Sequence, residues 1–220
     1  MKKSIACIGM GAFLISACSS AKNSNENSFS SLSSSTSSVT QVKLYEDPSH
    51  MFSFEYPSDH LTLKSQGDIT NLTHAISSSH PDPCDFKDGK TIPLLTDFSV
   101  QFESREGNLS DVIAEELRWT DEDRAQYMTD GELLTQEGFI EEAEYGEFEG
   151  YLVIQGVEGC GQTVYFLQKT SQSPVLVVTR KKITELSDIV TNAEEYKKLP
   201  GVILPEQEEE LFEGVMHTLQ

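Results

Sequence analysis

Five side chains between residues 74 and 85 are of types that bind metal ions. They are His74, His80, Asp82, Cys84 and Asp85. Imidazole, thiolate and carboxylate groups are the usual ligands of zinc, but their spacing here matches no standard pattern of a zinc site. The run "DPCDFKDGK" also lacks the alternating oxygen ligands of an EF-hand loop. The sequence therefore predicts satisfied or solvent-facing side chains here, and it indicates no metal and no other cofactor.

Cys160, in the run "GCG", is a candidate nucleophile. A thiol becomes reactive when a helix start or a basic neighbour lowers its pKa, and the sequence around Cys160 predicts neither. The G-x-S-x-G elbow, the phosphate loop G-x-x-x-x-G-K-S/T and the zinc motif H-E-x-x-H are absent from the chain. No catalytic residue is predicted, and the sequence favours a protein that is not an enzyme.

Three clusters of carboxylates could bind a cation. They are Asp121-Glu122-Asp123, Glu141-Glu142 and the run from Glu206 to Glu210. We expect solvated faces or charges that complement the start of a helix, where the helix dipole favours negative groups. Weak calcium binding is the alternative.

Cys18 closes an apolar segment and opens a serine-rich one. Lys2 and Lys3 precede the apolar residues Ile5 to Ala17, a segment of signal-peptide length that is shorter than the roughly 20 residues needed to span a bilayer. The stretch "ISAC" at its end resembles the lipobox of bacterial lipoproteins. This resemblance implies that residues 1–17 are a cleaved signal peptide and that Cys18 carries a lipid. The alternative is an ordinary signal peptide in which the cysteine occurs by chance.

Residues 18–41 form a segment that is dominated by serine. Such a composition cannot bury enough apolar surface to offset its ordering entropy, so we expect a disordered tether that spans roughly 25 Å. The expected location is the extracytoplasmic side of a bacterial envelope membrane, held through the lipid on Cys18. Ser19 is not the aspartate that retains many lipoproteins at an inner membrane, which favours the outer membrane if the host has two.

The chain is strongly acidic, with 16 Lys and Arg against 36 Asp and Glu and a net charge of −20. Loss of Lys2 and Lys3 with the signal peptide leaves 14 basic against 36 acidic side chains, a net charge of −22. Nucleic acid is not an expected partner, because phosphate contacts need clustered Lys and Arg.

Residues 42–220 are enough for one domain with its own core. Alternating apolar residues predict strands at "MFSFEYP", "HLTLKS" and "TDFSVQFES", whereas the segment 66–94 reads as irregular. The run "NLSDVIAEELRW" predicts a helix with Asn108 as its N-cap, and Thr120 begins a shorter one with Asp123 in a capping-box position. Seven aromatic residues at strand spacing are expected in the core: Phe52, Phe54, Tyr56, Phe98, Phe102, Tyr165 and Phe166.

The second half of the domain predicts an antiparallel meander followed by a helix. The strand-like runs are "GFIEEAEYGEFEGYLVIQG", split at Gly146, then "QTVYFLQK" and "PVLVVTRKK". The run "AEEYKKL" predicts a brief helix, and Pro205 opens an amphipathic helix that should dock on the sheet. This order of elements predicts an α+β fold in which an antiparallel sheet is flanked by helices.

These patterns resemble, in order, those of PsbP-like domains over nearly all of residues 45–220. The matching stretches are "MFSFEYPSDHLTL", "NLSDVIAEEL", "YLVIQG…TVYFLQK…PVLVVTRK" and "EEELFEGVMHTLQ". The resemblance implies an α/β/α sandwich of a kind common in bacterial lipoproteins of unassigned function. The family's photosynthetic members help to hold inorganic ions at a partner complex, but no ion-site residue can be matched here, so that role is not carried over.

A disulfide between Cys84 and Cys160 is expected in the folded domain. Cys7 leaves with the signal peptide and Cys18 is lipidated, which leaves two thiols. An even pair of cysteines in an exported chain usually forms a bond, because that compartment is oxidising. Two separate thiols are the alternative.

Together these features predict a membrane-anchored lipoprotein. Its domain is expected to be a non-enzymatic binding or accessory module that engages an envelope protein or a small ligand. The alternative is an envelope enzyme of a hydrolase-like kind, whose site is assembled from residues that no linear motif reveals.

Overall fold

The computed structural model describes residues 41–82, 89–157, 160–182 and 197–220. Within these residues the chain forms thirteen strands and three helices. None of the helices in this described part has the length and hydropathy of a segment that crosses a bilayer.

The strands are numbered in chain order. They are β1 Val42–Glu46, β2 Ser53–Pro57, β3 Thr62–Gln66, β4 Ile69–Ile76, β5 His80–Pro81, β6 Thr91–Ile92, β7 Leu95–Arg105, β8 Met128–Thr129, β9 Glu132–Leu133, β10 Ile140–Tyr145, β11 Phe148–Val157, β12 Cys160–Gln168 and β13 Val175–Lys182. The helices are α1 Leu109–Glu116, α2 Asp121–Tyr127 and α3 Pro205–Met216.

Seven strands form one sheet in the order β10-β11-β12-β13-β7-β4-β3, and every neighbouring pair is antiparallel. The predicted meander is confirmed as β10 to β13, and the split falls at Gly146, whose φ of 63° allows the tight turn between β10 and β11. An antiparallel sheet with helices confirms the α+β fold class. Three two-stranded pairs, β1-β2, β5-β6 and β8-β9, lie outside this sheet.

The two faces of the sheet carry separate apolar cores. On one face α3 and the β1-β2 hairpin pack against the sheet, and Phe54 stacks on Phe102 with 4.4 Å between ring centroids. On the other face α1 buries Val112 and Ile113 in a second core. Val178 belongs to the first core and its neighbour Val177 to the second, because successive side chains of a strand point to opposite faces. All seven aromatic residues expected in the core are members of these cores or pack against them.

The helix starts are those that the sequence predicts. The Asn108 side chain accepts a hydrogen bond from the backbone N–H of Asp111, which caps α1. Thr120 and Asp123 form the expected capping box of α2. Pro205 is the first residue of α3, where its missing N–H costs nothing.

The expectation that residues 66–94 are irregular was wrong for the first part of that segment. Residues 69–76 form β4, which lies between β3 and β7 in the sheet. The pairing of β4 with β7 shifts between His74 and Ala75, so that Asp97 is an extra residue on β7. A β-bulge commonly redirects a side chain. Here the Asp97 carboxylate lies within hydrogen-bond distance of His74 and of the backbone N–H of Ile203.

The brief helix predicted at "AEEYKKL" begins outside the described residues. Its last three residues, 197–199, form a turn. Strand β1 begins at Val42. The boundary between tether and domain at residue 42 stays a prediction.

Candidate functional site

A groove of ≈ 900 Å³ opens at one end of the sheet, beside the start of α1. Its lining comes from Leu109 and Ser110, the β8-β9 hairpin, strands β10 and β11, and the turn that follows β12. We refer to it as the acidic groove, because four glutamates line it: Glu132, Glu142, Glu144 and Glu149.

The part of the domain that the structure describes provides no basic partner for the four carboxylates. Within the described residues, none of them forms an ion pair with Lys, Arg or His. Lys169 is also at the groove, but its ammonium lies over the ring of Phe148, 4.8 Å from the centroid. Glu144 and Glu149 are directly opposite each other on β10 and β11, an arrangement of like charges that is unfavourable by itself. The groove is therefore a region of negative potential.

The pKa of Tyr151, which also lines the groove, is affected by these charges. Burial raises the pKa of the Tyr151 phenol above its ordinary value, and the charges of Glu132 and Glu142 raise it further. A hydrogen bond from the backbone of Leu133 acts in the opposite direction. The phenol is thus neutral and held against the β8-β9 hairpin, next to the carboxylates.

Gln168 places a second kind of acceptor at the groove. Gln168 is 9% exposed, and its side-chain Nε2 donates a hydrogen bond to the backbone carbonyl of Ser173. Its Oε1 has no hydrogen-bond partner among the described residues, although Gln168 lines the groove. The glutamate and glutamine oxygens together favour a ligand that donates hydrogen bonds and carries positive charge.

Gly150 keeps the two strands beside the groove in close contact. A Cβ atom at this position would overlap the backbone carbonyl oxygen of Phe166 on β12. Only glycine leaves room for this approach, so the shape of the groove depends on it.

The predicted metal-compatible residues do not converge. His74 Nδ1 lies 2.5 Å from Asp97 Oδ1, and the other oxygen of Asp97 accepts the backbone N–H of Ile203 at 2.8 Å. His80 instead contacts two backbone carbonyl oxygens, and Asp82 pairs with Lys90 at 3.4 Å. In the described part of the chain, no group of three or more His, Cys, Asp or Glu side chains is placed to hold a metal ion. Cys84 and Asp85 lie outside that part.

The other residues with predicted roles are mostly beyond the described residues. Cys18 lies outside them, as does Cys84. The backbone of Cys160 begins β12, opposite Val157 on β11. Both the lipidation of Cys18 and the disulfide between Cys84 and Cys160 stay predictions.

The acidic clusters have different fates. Asp123 caps α2, and Glu141 accepts the backbone N–H of Gly138, as expected for surface and helix-start charges. Glu208 lies in the first turn of α3, as expected for a helix-start charge, but it is not solvated, because it is only 4% exposed. Its carboxylate is paired with Arg180 beneath α3, because the buried guanidinium needs a charged partner.

Sequence reasoning missed both the groove and the bond between His74 and Asp97. In the run "EEAEYGEFEGY" the glutamates alternate at 142 and 144 and again at 147 and 149, which was the available signal for a charged strand face. The contact between His74 and Asp97 depends on the bulge in β7, and the sequence gives no signal for that bulge.

The comparisons with known proteins assign no function. No protein-family model matches the chain, and no curated protein does. Among solved structures, the chain is similar to a crystal structure from Bacteroides thetaiotaomicron VPI-5482 at 1.50 Å resolution, with 12% sequence identity and a TM-score of 0.39. The similarity covers 81% of this chain and 47% of that one, so this chain spans about half the length of the protein that it matches.

Proposed function

We propose that this protein is a lipid-anchored binding or accessory module on the extracytoplasmic side of a bacterial envelope membrane. The acidic groove is its ligand site. The observation that carries the proposal is a groove of ≈ 900 Å³ whose carboxylates are left without basic partners by the described part of the domain. Cavities of this size are typical of ligand sites.

The anchor of the proposed module is Cys18. The variant Cys18→Ala should incorporate no fatty-acid probe and should remain as uncleaved precursor. The control variant Cys7→Ala should still incorporate the probe. Two or more acyl chains hold a protein durably at a bilayer, since each buried methylene contributes roughly 0.8 kcal/mol. Label that persists in Cys18→Ala would refute the anchor.

The domain itself is proposed to be a PsbP-like α/β/α sandwich. Its support is the packing of α3 against one face of the sheet and α1 against the other, together with the resemblance of the sequence patterns. Binding to a partner, with no chemical step, accounts for an open groove in which the described residues form no group that could hold a metal ion.

Cross-linking in the native envelope tests the role of the groove. A photoreactive residue at Thr170, on the groove, should capture a specific protein or small molecule, whereas the same residue at the exposed Lys64 on β3 should not. Equal capture at both positions would refute a groove-specific ligand.

The purified protein should show no turnover on broad panels of hydrolase and oxidoreductase substrates.

One observation favours the enzyme alternative. His74 Nδ1 lies 2.5 Å from Asp97 Oδ1, and His74 Nε2 has no hydrogen-bond partner among the described residues. In the tautomer that donates Nδ1–H to Asp97, the lone pair is on Nε2. A carboxylate orients histidine in this way when the imidazole acts as a general base. Reproducible turnover that is lost in His74→Gln and kept in Glu144→Gln would establish this alternative in place of the binding role.

A further inference from the structure

Strand β10 is an edge of the seven-stranded sheet, and three of its residues direct backbone groups outward. The carbonyl of Phe139 accepts a hydrogen bond from the N–H of Ile154 on β11, at 2.9 Å. Hydrogen bonding alternates along an antiparallel pair, so residues 141, 143 and 145 also face β11. Residues 140, 142 and 144 then direct their N–H and C=O groups to the free edge.

The free edge is occupied at one of these three positions. Ile140 exchanges two hydrogen bonds with Gln136, at 2.8 and 2.7 Å. The outward backbone groups of Glu142 and Glu144 have no backbone partner among the described residues. An exposed edge of this kind is a template for another strand.

The same two residues direct their side chains into the acidic groove. Residues i and i+2 of a strand are about 7 Å apart. Glu142 and Glu144 therefore present two negative charges at the spacing of every second side chain in an extended peptide. A second copy of β10 would bring glutamates against glutamates, which opposes self-association. The edge is thus suited to a partner strand of opposite charge.

A compact metal ion fits these groups less well than an extended ligand. In the described residues the carboxylates do not form a group that could hold a metal ion. The free Oε1 of Gln168, a residue nine-tenths buried at the groove, adds an acceptor beyond the edge strand. Positive charge and several hydrogen-bond donors are therefore needed along a length of groove, and lysine or arginine side chains supply both.

We propose that an extended basic segment of a partner protein adds to β10 as an eighth strand. Its backbone pairs with Glu142 and Glu144, and its Lys or Arg side chains at alternate positions lie over the same two carboxylates. This assignment rests on the proposed binding function and names the class of partner.

Peptide binding to the purified full chain tests this assignment. The probe is an acetylated, amidated hexapeptide in which Lys and Thr alternate, and the control is the block peptide Lys-Lys-Lys-Thr-Thr-Thr of equal charge. We expect the alternating peptide to bind more tightly. Methylation of the backbone nitrogens that face β10 should abolish its binding, because those donors are lost. Equal affinities, or an unchanged affinity after methylation, would overturn strand addition.

Matched variants separate local recognition from general attraction. The double variant Glu142→Gln/Glu144→Gln should weaken binding by about tenfold, as expected for two exposed charge pairs. The control Glu106→Gln/Glu137→Gln changes the net charge equally at exposed positions and should have little effect. Equal losses in both would overturn the assignment, as would spermidine or Ca²⁺ binding as tightly as the peptide. If the peptide does not bind but cross-linking at Thr170 captures a specific ligand, strand addition is refuted and the binding function stands. Enzymatic turnover by the purified protein would instead refute the binding function.

Discussion

Arg180 on β13 and Glu208 on α3 form a bidentate ion pair inside the core, with Nε–Oε1 and Nη2–Oε2 distances of 3.0 and 2.5 Å. The guanidinium is 1% exposed and lies over the ring of Phe212, 4.2 Å from its centroid. Glu209 contacts the same nitrogen at 2.6 Å but is 54% exposed. The pair therefore fixes where α3 docks on the sheet.

Breaking this pair should destabilise the domain strongly. Glu208→Ala leaves the buried Arg180 without its main partner, and we expect a loss of about 3–5 kcal/mol in the free energy of unfolding, measured by urea denaturation. Glu209→Ala is the control and should cost less than about 1 kcal/mol, because that carboxylate is exposed. Equal effects of the two variants would contradict a special role for Glu208.

A glycine-to-alanine substitution should have opposite effects on stability at Gly150 and at Gly214. Gly150→Ala should prevent normal pairing of β11 with β12, since its Cβ would overlap the Phe166 carbonyl. Gly214→Ala in α3 has open space around the new methyl group and should stabilise the protein by up to about 1 kcal/mol. Thermal unfolding of both variants measures the difference. A Gly150→Ala protein as stable as the parent would contradict the close approach.

The ionisation of Tyr151 should respond to the charges in the groove. Burial first, and then Glu132 and Glu142, raise the pKa of Tyr151, so Glu142→Gln should lower that pKa. Tyrosinate absorbance as a function of pH, with Tyr151→Phe to assign the step, measures it. Because the folded-state pKa is raised, the stabilising contribution of Tyr151 is complete below about pH 10 and is lost as the pH rises through the folded-state pKa.

Tyr145 provides the internal control for that titration. Its pKa is raised mainly by burial, and the charged group next to it is Glu213, to which its hydroxyl donates at 3.1 Å. In the parent and in Glu142→Gln, Tyr145 should therefore stay protonated over the pH range in which Tyr151 ionises. Ionisation of Tyr145 in that range would indicate a general structural change in the variant.

The predicted disulfide can be measured directly. The non-reduced mature domain should be two hydrogens lighter than the reduced one, and digestion should yield a peptide that links Cys84 to Cys160. In the chain-entropy model, a loop of about 76 residues gives at most roughly 4–5 kcal/mol of stabilisation, which Cys160→Ser should remove. Two free thiols in the non-reduced protein would refute the bond.

The sequence predicts elements whose apolar residues keep a regular period, and it fails where polar residues are buried. The helices α1, α2 and α3 and the meander were all predicted because their caps and alternation are intact. Strand β4 was missed because Thr70 occupies an inward position, where it is 1% exposed and bonded to the Tyr45 hydroxyl at 2.7 Å. A polar side chain whose partner lies 25 residues away looks like a surface residue in the sequence.

The candidate site was less predictable than the fold. Of its four glutamates the sequence analysis identified only Glu142 as part of a charged cluster, and only the fold shows that residues from β9, β10 and β11 surround one groove. Strand β1 was missed for a related reason, since Val42 and Leu44 are more than half exposed while Tyr45 packs inward. Groups brought together by tertiary contacts leave no spacing pattern in the chain.

The order of strands in the sheet has a consequence for the chain as it is being synthesised. Strand β7 pairs with β13, and residues 106–174 lie between them. At ribosomal rates of about 5–20 residues per second, β13 appears on the order of 3–14 s after β7. During that interval one edge of β7 is unpaired and carries Phe98, Val100 and Phe102 on one face, as aggregation-prone segments do. Holding factors that bind nascent apolar segments would be needed most by the first half of this domain, before the meander is complete.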